Sequence, residues 1–308
     1  MIRNFEELKK EIIEKKAAPK KVAVVKAASG HTLESIFELA KEGLIFPYLI
    51  DEEEAIKKEL AKLDIKGAKY EIVQTQTDQE AAFKGIQMAK ENQVEFIMKG
   101  DLQTGVLLKE VVNRETGIRE QKVLSHLALI EVPTYPKLIG ITDGGMVLTP
   151  DYEQKKAIIE NALGVMRAIG YREPKFAVLS AAEVVQPKLQ ASVDAAELTK
   201  DFSTIENVVV EGPISLDIAL NPEAAKDKNY QGKIQGDSDV LVASDIIAGN
   251  TLSKSLTLLA GGEMAGIIVG AKVPIILTSR SSSATEKRNS LLLALKVSSE
   301  AKEKGEVK

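Results

Sequence analysis

The chain has 308 residues, 44% of them hydrophobic and 4% aromatic, with no Trp and no Cys. It can therefore bury a core of Ile, Leu, Val and Ala, while disulfides, protein thiol nucleophiles and cysteine-ligated metals are excluded. A net charge of -4, with no Lys/Arg block interleaved with aromatics, offers no bulk attraction to nucleic acid or to anionic membrane.

The first segment, Met1-Ile-Arg-Asn-Phe-Glu-Glu-Leu, is too charged for a signal peptide, and Phe5, Leu8, Ile12 and Ile13 share one helical face. No apolar run approaches the ~18 residues of a membrane span, so a cytoplasmic protein is expected. Strand-like runs follow at 21–27, 70–74, 94–99, 127–132, 138–142, 175–179, 240–243, 266–269 and 275–278, with helices filling the gaps. Alternation of this kind builds βαβ units and a parallel sheet. Helices are expected at 78–92, at 150–168 with Thr149 as N-cap, Pro150 at the first position and Gly170 past the end, at 251–260 and at 283–300. The polar stretch 114–121 reads as a turn. The length suits two α/β domains, residues 1–138 with 281–308 and residues 139–280, with a cleft between them.

The last of these strands runs into Thr278-Ser-Arg-Ser-Ser-Ser and then a long apolar helix. The first N–H groups of a helix lack intrahelical acceptors, and the macrodipole adds positive potential there. Hydroxyls at Thr278, Ser279, Ser281 and Ser282, with the Arg280 guanidinium, make this a phosphate or carboxylate site. The competing reading is a capping box over Ser283-Ala-Thr-Glu286, which satisfies backbone donors and binds nothing.

Two further strand ends carry polar residues where open α/β sheets bind ligands. Asp143 can orient a substrate group or cap the Gly144-Gly145 turn, and Asp245 faces the same two options. Gly249-Asn250 reads as a turn, and Lys254, one helical turn on, is within reach of a phosphate or solvated. His31 and His126 have no partner at metal-ligand spacing. There is no GxGxxG run, Walker loop or GxSxG elbow, and Lys26-Ala-Ala-Ser-Gly-His-Thr is too generic to stand in for one.

Taken in order, Ser125-His-Leu-Ala, Thr142-Asp-Gly-Gly-Met-Val, Pro150-Asp151, Val184-Val185-Gln-Pro-Lys188, Asp217-Ile-Ala, Ala248-Gly-Asn250 and Val269-Gly-Ala-Lys-Val-Pro-Ile-Ile-Leu-Thr-Ser-Arg280 resemble the phosphate acetyl/butyryltransferase family. Lys99-Gly-Asp-Leu-Gln-Thr-Gly105 and Leu124-Ser125-His126 look like its butyryl branch, as does Thr257, where acetyl-type members typically carry an arginine.

The resemblance implies a two-domain α/β fold similar to the isocitrate/isopropylmalate dehydrogenases, a homodimer, and reversible acyl exchange between coenzyme A and phosphate, with acyl-CoA and acyl phosphate as partners. It implies no metal and no prosthetic group, coenzyme A being a co-substrate. Arg280 would hold the phosphate and Ser279 would donate to an oxygen in the transition state. Glu286 stands seven residues after that serine, where acetyl-type relatives carry an aspartate implicated as base, and Arg114 matches a phosphate-contacting arginine. Phosphate acetyltransferase is the alternative within the family. A non-catalytic CoA-ester-binding regulatory protein, as related domains are when joined to malic enzymes, is the alternative outside catalysis. A metal-dependent dehydrogenase on the same fold would need metal-binding aspartates and a nicotinamide site, and the sequence offers neither.

Overall fold

A computed structural model of the chain describes residues 1–15, 17–63, 65, 67–278 and 282–305, the last five by backbone alone. It divides into two compact units, Glu6–Gln121 with Ala265–Lys308, and Met1–Phe5 with Lys122–Met264.

The first unit opens with α1 (Phe5–Glu14), β1 (Lys20–Val25), α2 (Gly30–Lys41), β2 (Ile45–Asp51), α3 (Glu53–Lys62), β3 (Glu71–Gln74), α4 (Asp78–Lys90), β4 (Phe96–Lys99) and α5 (Thr104–Val111). The second follows with β5 (Ser125–Glu131), β6 (Ile139–Thr142), α6 (Tyr152–Ala168), β7 (Lys175–Leu179), α7 (Gln190–Phe202), β8 (Val209–Ile214), α8 (Leu216–Leu220), α9 (Pro222–Asp227), β9 (Val240–Val242) and α10 (Ile246–Leu259). Then come β10 (Glu263–Val269), β11 (Ile275–Ile276) and α11 (Ala284–Gly305).

In the first unit the strand order is β3-β2-β1-β4-β11-β10, parallel except where β10 meets β11. Val22–Val25 and Phe96–Met98 are fully buried. Strands covered on both faces need such continuous apolar runs rather than alternation. Each large side chain removed from water contributes roughly 1.5–3 kcal/mol. In the second unit the order is β5-β6-β9-β7-β8, with β5 antiparallel to β6 and the rest parallel. Its core gathers Ile130, Ile139, Ile141, Ile214, Ile218 and Leu241.

Several expectations need correction. Strands β2 and β8 fall where the sequence was read as helical. β2 carries Pro47 opposite Val22, and β8 carries Gly212-Pro213 with a register shift against β7. Proline and glycine weaken a strand pattern, and here tertiary pairing overrides them. Helix α6 starts later than expected. Asp151 is its N-cap, accepting Gln154 N–H at 2.8 Å while Gln154 Oε1 accepts Asp151 N–H at 3.0 Å. This reciprocal box satisfies two orphan donors, so Thr149 and Pro150 lie before the helix.

The domain limits also differ from 138/139 and 280/281. Pairing of Ala128 with Ile141 ties β5 to the second unit, while Ile276 beside Met98 ties β11 to the first. The division therefore falls at 121/122 and 264/265.

Candidate active site

At the C-terminal edge of the first unit's parallel strands, a cavity of about 370 Å³ is lined by Ser29, His31, Thr32, Lys99, Gly100, Asp101, Thr278 and Lys287. Such an edge suits ligands because helix N-termini follow the strand ends there. Gly100 and Asp101 donate backbone N–H to Val25 and Lys26 carbonyls, at 2.7 and 2.8 Å, which seats the loop after β4 against the end of β1. A Cβ on Gly100 would stand 2.0 Å from the Lys26 carbonyl oxygen, so only glycine allows this approach. Lys99 is buried and donates to the Gly100 and Leu102 carbonyls at 3.1 and 3.0 Å.

Thr278 is buried at this edge, directly after β11. Ser279, Arg280 and Ser281, the centre of the sequence argument, lie outside the described residues. Beyond them, Ser283 Oγ accepts the Glu286 N–H at 3.1 Å, giving half of the expected capping box. The Glu286 carboxylate instead accepts the Ser282 hydroxyl at 2.6 Å. It is half-buried at the start of α11, beside a second cavity of about 320 Å³ lined by His31, Glu34, Ser35, Glu38, Ser282, Ser283, Ala284 and Lys287.

The second unit carries the other predicted residues. Asp143 is buried at the end of β6. Its Oδ1 accepts Gly145 and Met146 N–H at 2.7 and 2.9 Å, and its Oδ2 accepts Val147 and His126 N–H at 3.2 Å each. The carboxylate thus builds the loop rather than facing a ligand. Asp245 is the N-cap of α10, accepting Ile247 and Ala248 N–H at 2.9 and 3.0 Å and the Ser244 hydroxyl at 2.9 Å. The Ala248 N–H and Ser244 hydroxyl hold its carboxyl below the usual carboxylate range.

Gly249 and Asn250 are in the first turns of α10 and not in a connecting turn. A Cβ on Gly249 would meet the Asp143 carbonyl oxygen at 2.4 Å, and one on Gly144 would meet the Gly249 carbonyl carbon at 2.9 Å. Two backbones are in direct contact here, and Asn250 Nδ2 donates to the Gly144 carbonyl at 3.1 Å. Lys254 is exposed on the same helix.

Arg114 is not brought to Thr278. It stands exposed after α5, next to Glu115, whose carbonyl accepts Lys90 Nζ at 2.7 Å. Lys90 ends α4 just ahead of β4, so Arg114 lies at the opposite end of the strands.

Two groups escaped sequence reasoning. His126 packs against Gly145 and Asp143, and its Nδ1 is buried with no hydrogen-bond partner. Burial pushes its pKa down against the opposing pull of Asp143, so the ring is neutral at pH 7. Its place in Ser125-His-Leu-Ala was the available signal. Lys26, at φ +59°, donates to Asp51 at 2.5 Å, and Asp51 also accepts Ala28 N–H at 2.9 Å, fixing the loop that leads into α2. No spacing rule marks that pair.

Residues 51–295 match the protein family described as Phosphate acetyl/butaryl transferase. The chain belongs to this family. A Phosphate butyryltransferase of Clostridium acetobutylicum is 34% identical over 296 residues, covering 96% of this chain and 98% of that protein. A Phosphate acetyltransferase of Rhizobium meliloti is 36% identical over 279 residues, covering 90% of this chain and 88% of that one. The crystal structure of a branched-chain phosphotransacylase from Enterococcus faecalis V583 is 33% identical, with a TM-score of 0.80, and covers 91% of this chain and 99% of its own. The family span takes in the Lys99 loop, Asp143, Asp245, Thr278 and Glu286, while the start of α2 lies ahead of it. Among the described residues, no helix is long and apolar enough to cross a membrane, and no three His, Cys, Asp or Glu side chains are grouped to hold a metal ion.

Proposed function

We propose that the chain catalyses reversible acyl transfer between coenzyme A and inorganic phosphate, butyryl-CoA plus phosphate giving butyryl phosphate plus CoA. Family membership supports the reaction class. The observation that carries it is the polar cavity at the strand ends, which Thr278, the residue before Ser279-Arg280 in the sequence, lines together with Lys99 and Lys287. An oxyanion substrate matches this lining, and coenzyme A brings the sulfur that a chain without cysteine cannot supply.

In the forward direction a phosphate oxygen attacks the thioester carbonyl, and the carbonyl electron pair moves onto oxygen. Collapse of the tetrahedral species expels the CoA thiolate. In reverse, the thiol loses its proton and the thiolate attacks the acyl phosphate, releasing phosphate. Arg280 holds the phosphate and Ser279 donates to the developing oxyanion, a contribution of about 10²–10³ in turnover by comparison with other oxyanion donors. Glu286, with Ser282 fixing its carboxylate, takes the thiol proton. Asp143 and Asp245 act as builders of backbone through the amide contacts above.

The same reading places the enzyme in the cytoplasm as a homodimer. Support for a second copy comes from α10, which exposes Ile247 near its start and Leu258 and Leu259 at its end.

The test is phosphate-dependent release of free thiol from butyryl-CoA by the purified chain, beside acetyl-CoA. Release that requires phosphate, faster with butyryl-CoA, is expected. Faster release from acetyl-CoA reassigns the branch. Thermal stabilisation by butyryl-CoA with no release overturns catalysis in favour of a regulatory protein, and a monomer in sedimentation overturns the dimer.

A further inference from the structure

Lys287 is 7% exposed in the second turn of α11, and among the described residues its ammonium has no hydrogen-bond or ion-pair partner. The other buried lysines are satisfied. Lys155 donates to Asp194 at 2.7 Å, Lys296 to Glu11 and Glu300 at 2.7 and 2.8 Å, and Lys99 to two carbonyls. The stem of Lys287 is enclosed and the side chain opens onto cavities, so its charge, unmatched by any described carboxylate, is available to an anion there.

The surroundings say where that anion would sit. Lys287 lines both cavities described above. Across the larger one stands the start of α2, whose N-cap Ser29 makes no side-chain cap hydrogen bond and whose first turn holds no acidic residue. Its first amides and its dipole therefore point at the same space as the lysine. The nearby carboxylates do not neutralise Lys287. Glu38 accepts Arg288 Nε at 2.9 Å, Glu34 lies 3.8 Å from His31 Nδ1, and Asp101 is exposed.

We propose that Lys287 binds a phosphate oxyanion of the substrates, supported by the N-terminus of α2 and the Thr278 hydroxyl. The proposal rests on the acyl-transfer reading for the identity of the ligand. It names a lysine and a helix start, where the sequence pointed to Ser279 and Arg280. The compact ammonium, with three rotatable donors, suits one face of a tetrahedral phosphate. The oxyanion can belong to inorganic or acyl phosphate, or to the phosphates of coenzyme A.

The experiment compares wild type, Lys287→Met and Lys287→Arg in steady-state thiol release, varying phosphate at saturating butyryl-CoA and the reverse. Lys287→Met is expected to raise KM for phosphate roughly ten- to hundredfold, the worth of a charge-assisted hydrogen bond, with partial rescue in Lys287→Arg. A rise confined to KM for butyryl-CoA assigns the oxyanion to coenzyme A. Unchanged values for both substrates overturn the proposal.

A second readout is independent of turnover. Inorganic phosphate should raise Tm of wild type and not of Lys287→Met, whereas equal shifts overturn the site. Without phosphate, Lys287→Met should melt no earlier than wild type, because it removes a charge that no described carboxylate matches. Earlier melting, or failure to fold, shows a structural role and overturns the proposal as well. A wild type that phosphate stabilises but that releases no thiol would refute acyl transfer and leave the oxyanion site standing.

Discussion

Asp143→Ala should destabilise the second unit more than most single substitutions. The carboxylate accepts four backbone N–H groups, two of them at 2.7 and 2.9 Å, from a buried position 3% exposed. A hydrogen bond to a charged acceptor contributes roughly 1.5–3 kcal/mol, so losing the two short ones alone costs roughly 3–6 kcal/mol. That is a large share of the ~5–15 kcal/mol that holds a typical domain folded. Asp143→Asn keeps one acceptor oxygen for Gly145 and Met146 but turns an amide N–H₂ toward the Val147 and His126 donors, so it should fall between wild type and alanine. Urea unfolding at pH 7 followed by far-UV circular dichroism measures this. With a slope of roughly 1–3 kcal/mol per molar urea, the alanine midpoint should drop by roughly 1–3 M or more. A midpoint within about 0.2 M of wild type would refute the assignment of Asp143 as the builder of this loop, and return it to the ligand-facing role.

The buried pair Lys155–Asp194, at 2.7 Å with side chains 6% and 4% exposed, should cost about 3–5 kcal/mol when Lys155→Ala strands the carboxylate. The double variant Lys155→Met/Asp194→Leu should recover most of this in the same unfolding assay, and a double variant as unstable as the single one contradicts it. Asp245→Asn keeps a capping side chain but removes the negative charge at the start of α10, so it should lower stability at pH 7 by about 0.3–1 kcal/mol. Because the folded pKa of Asp245 lies below the unfolded value of about 3.9, its contribution is full above that value. It fades as pH falls through the folded pKa, so the gap between the two proteins should close below about pH 4. A gap that persists in acid shows that charge is not the source. Glu286→Gln should lower turnover by about 10²–10⁴ and flatten its pH dependence if the carboxylate is the base. A change confined to melting temperature reduces Glu286 to a partner of Ser282.

Much of the parallel framework was legible because it is local. Lys175–Leu179 forms the strand its apolar run announces, and the runs at Val22–Val25 and Phe96–Met98 are continuous because both faces are covered. Strands β2 and β8 were hidden because Pro47 and Gly212-Pro213 carry break signals, and only the neighbouring strands supply the pairing that overrides them. At the site, sequence gave both roles for Asp143 and Asp245 without deciding between them. The decision lay with amides of residues 126, 145–147, 247 and 248, whose positions depend on how the loops close.

By itself the sequence determined the class of the fold and the family, since apolar periodicity and ordered motifs are properties of short segments. Tertiary structure alone decided which charges are spent and which are free. Lys155, Lys287 and Lys296 are the same residue type in helical positions, yet two meet carboxylates and one meets a cavity. Whether a charge is paired depends on side chains brought within a few ångströms by packing: Lys296 also meets Glu300 one helical turn on, but Asp194 lies 39 residues from Lys155 and Glu11 lies 285 residues from Lys296. No local pattern encodes such a separation.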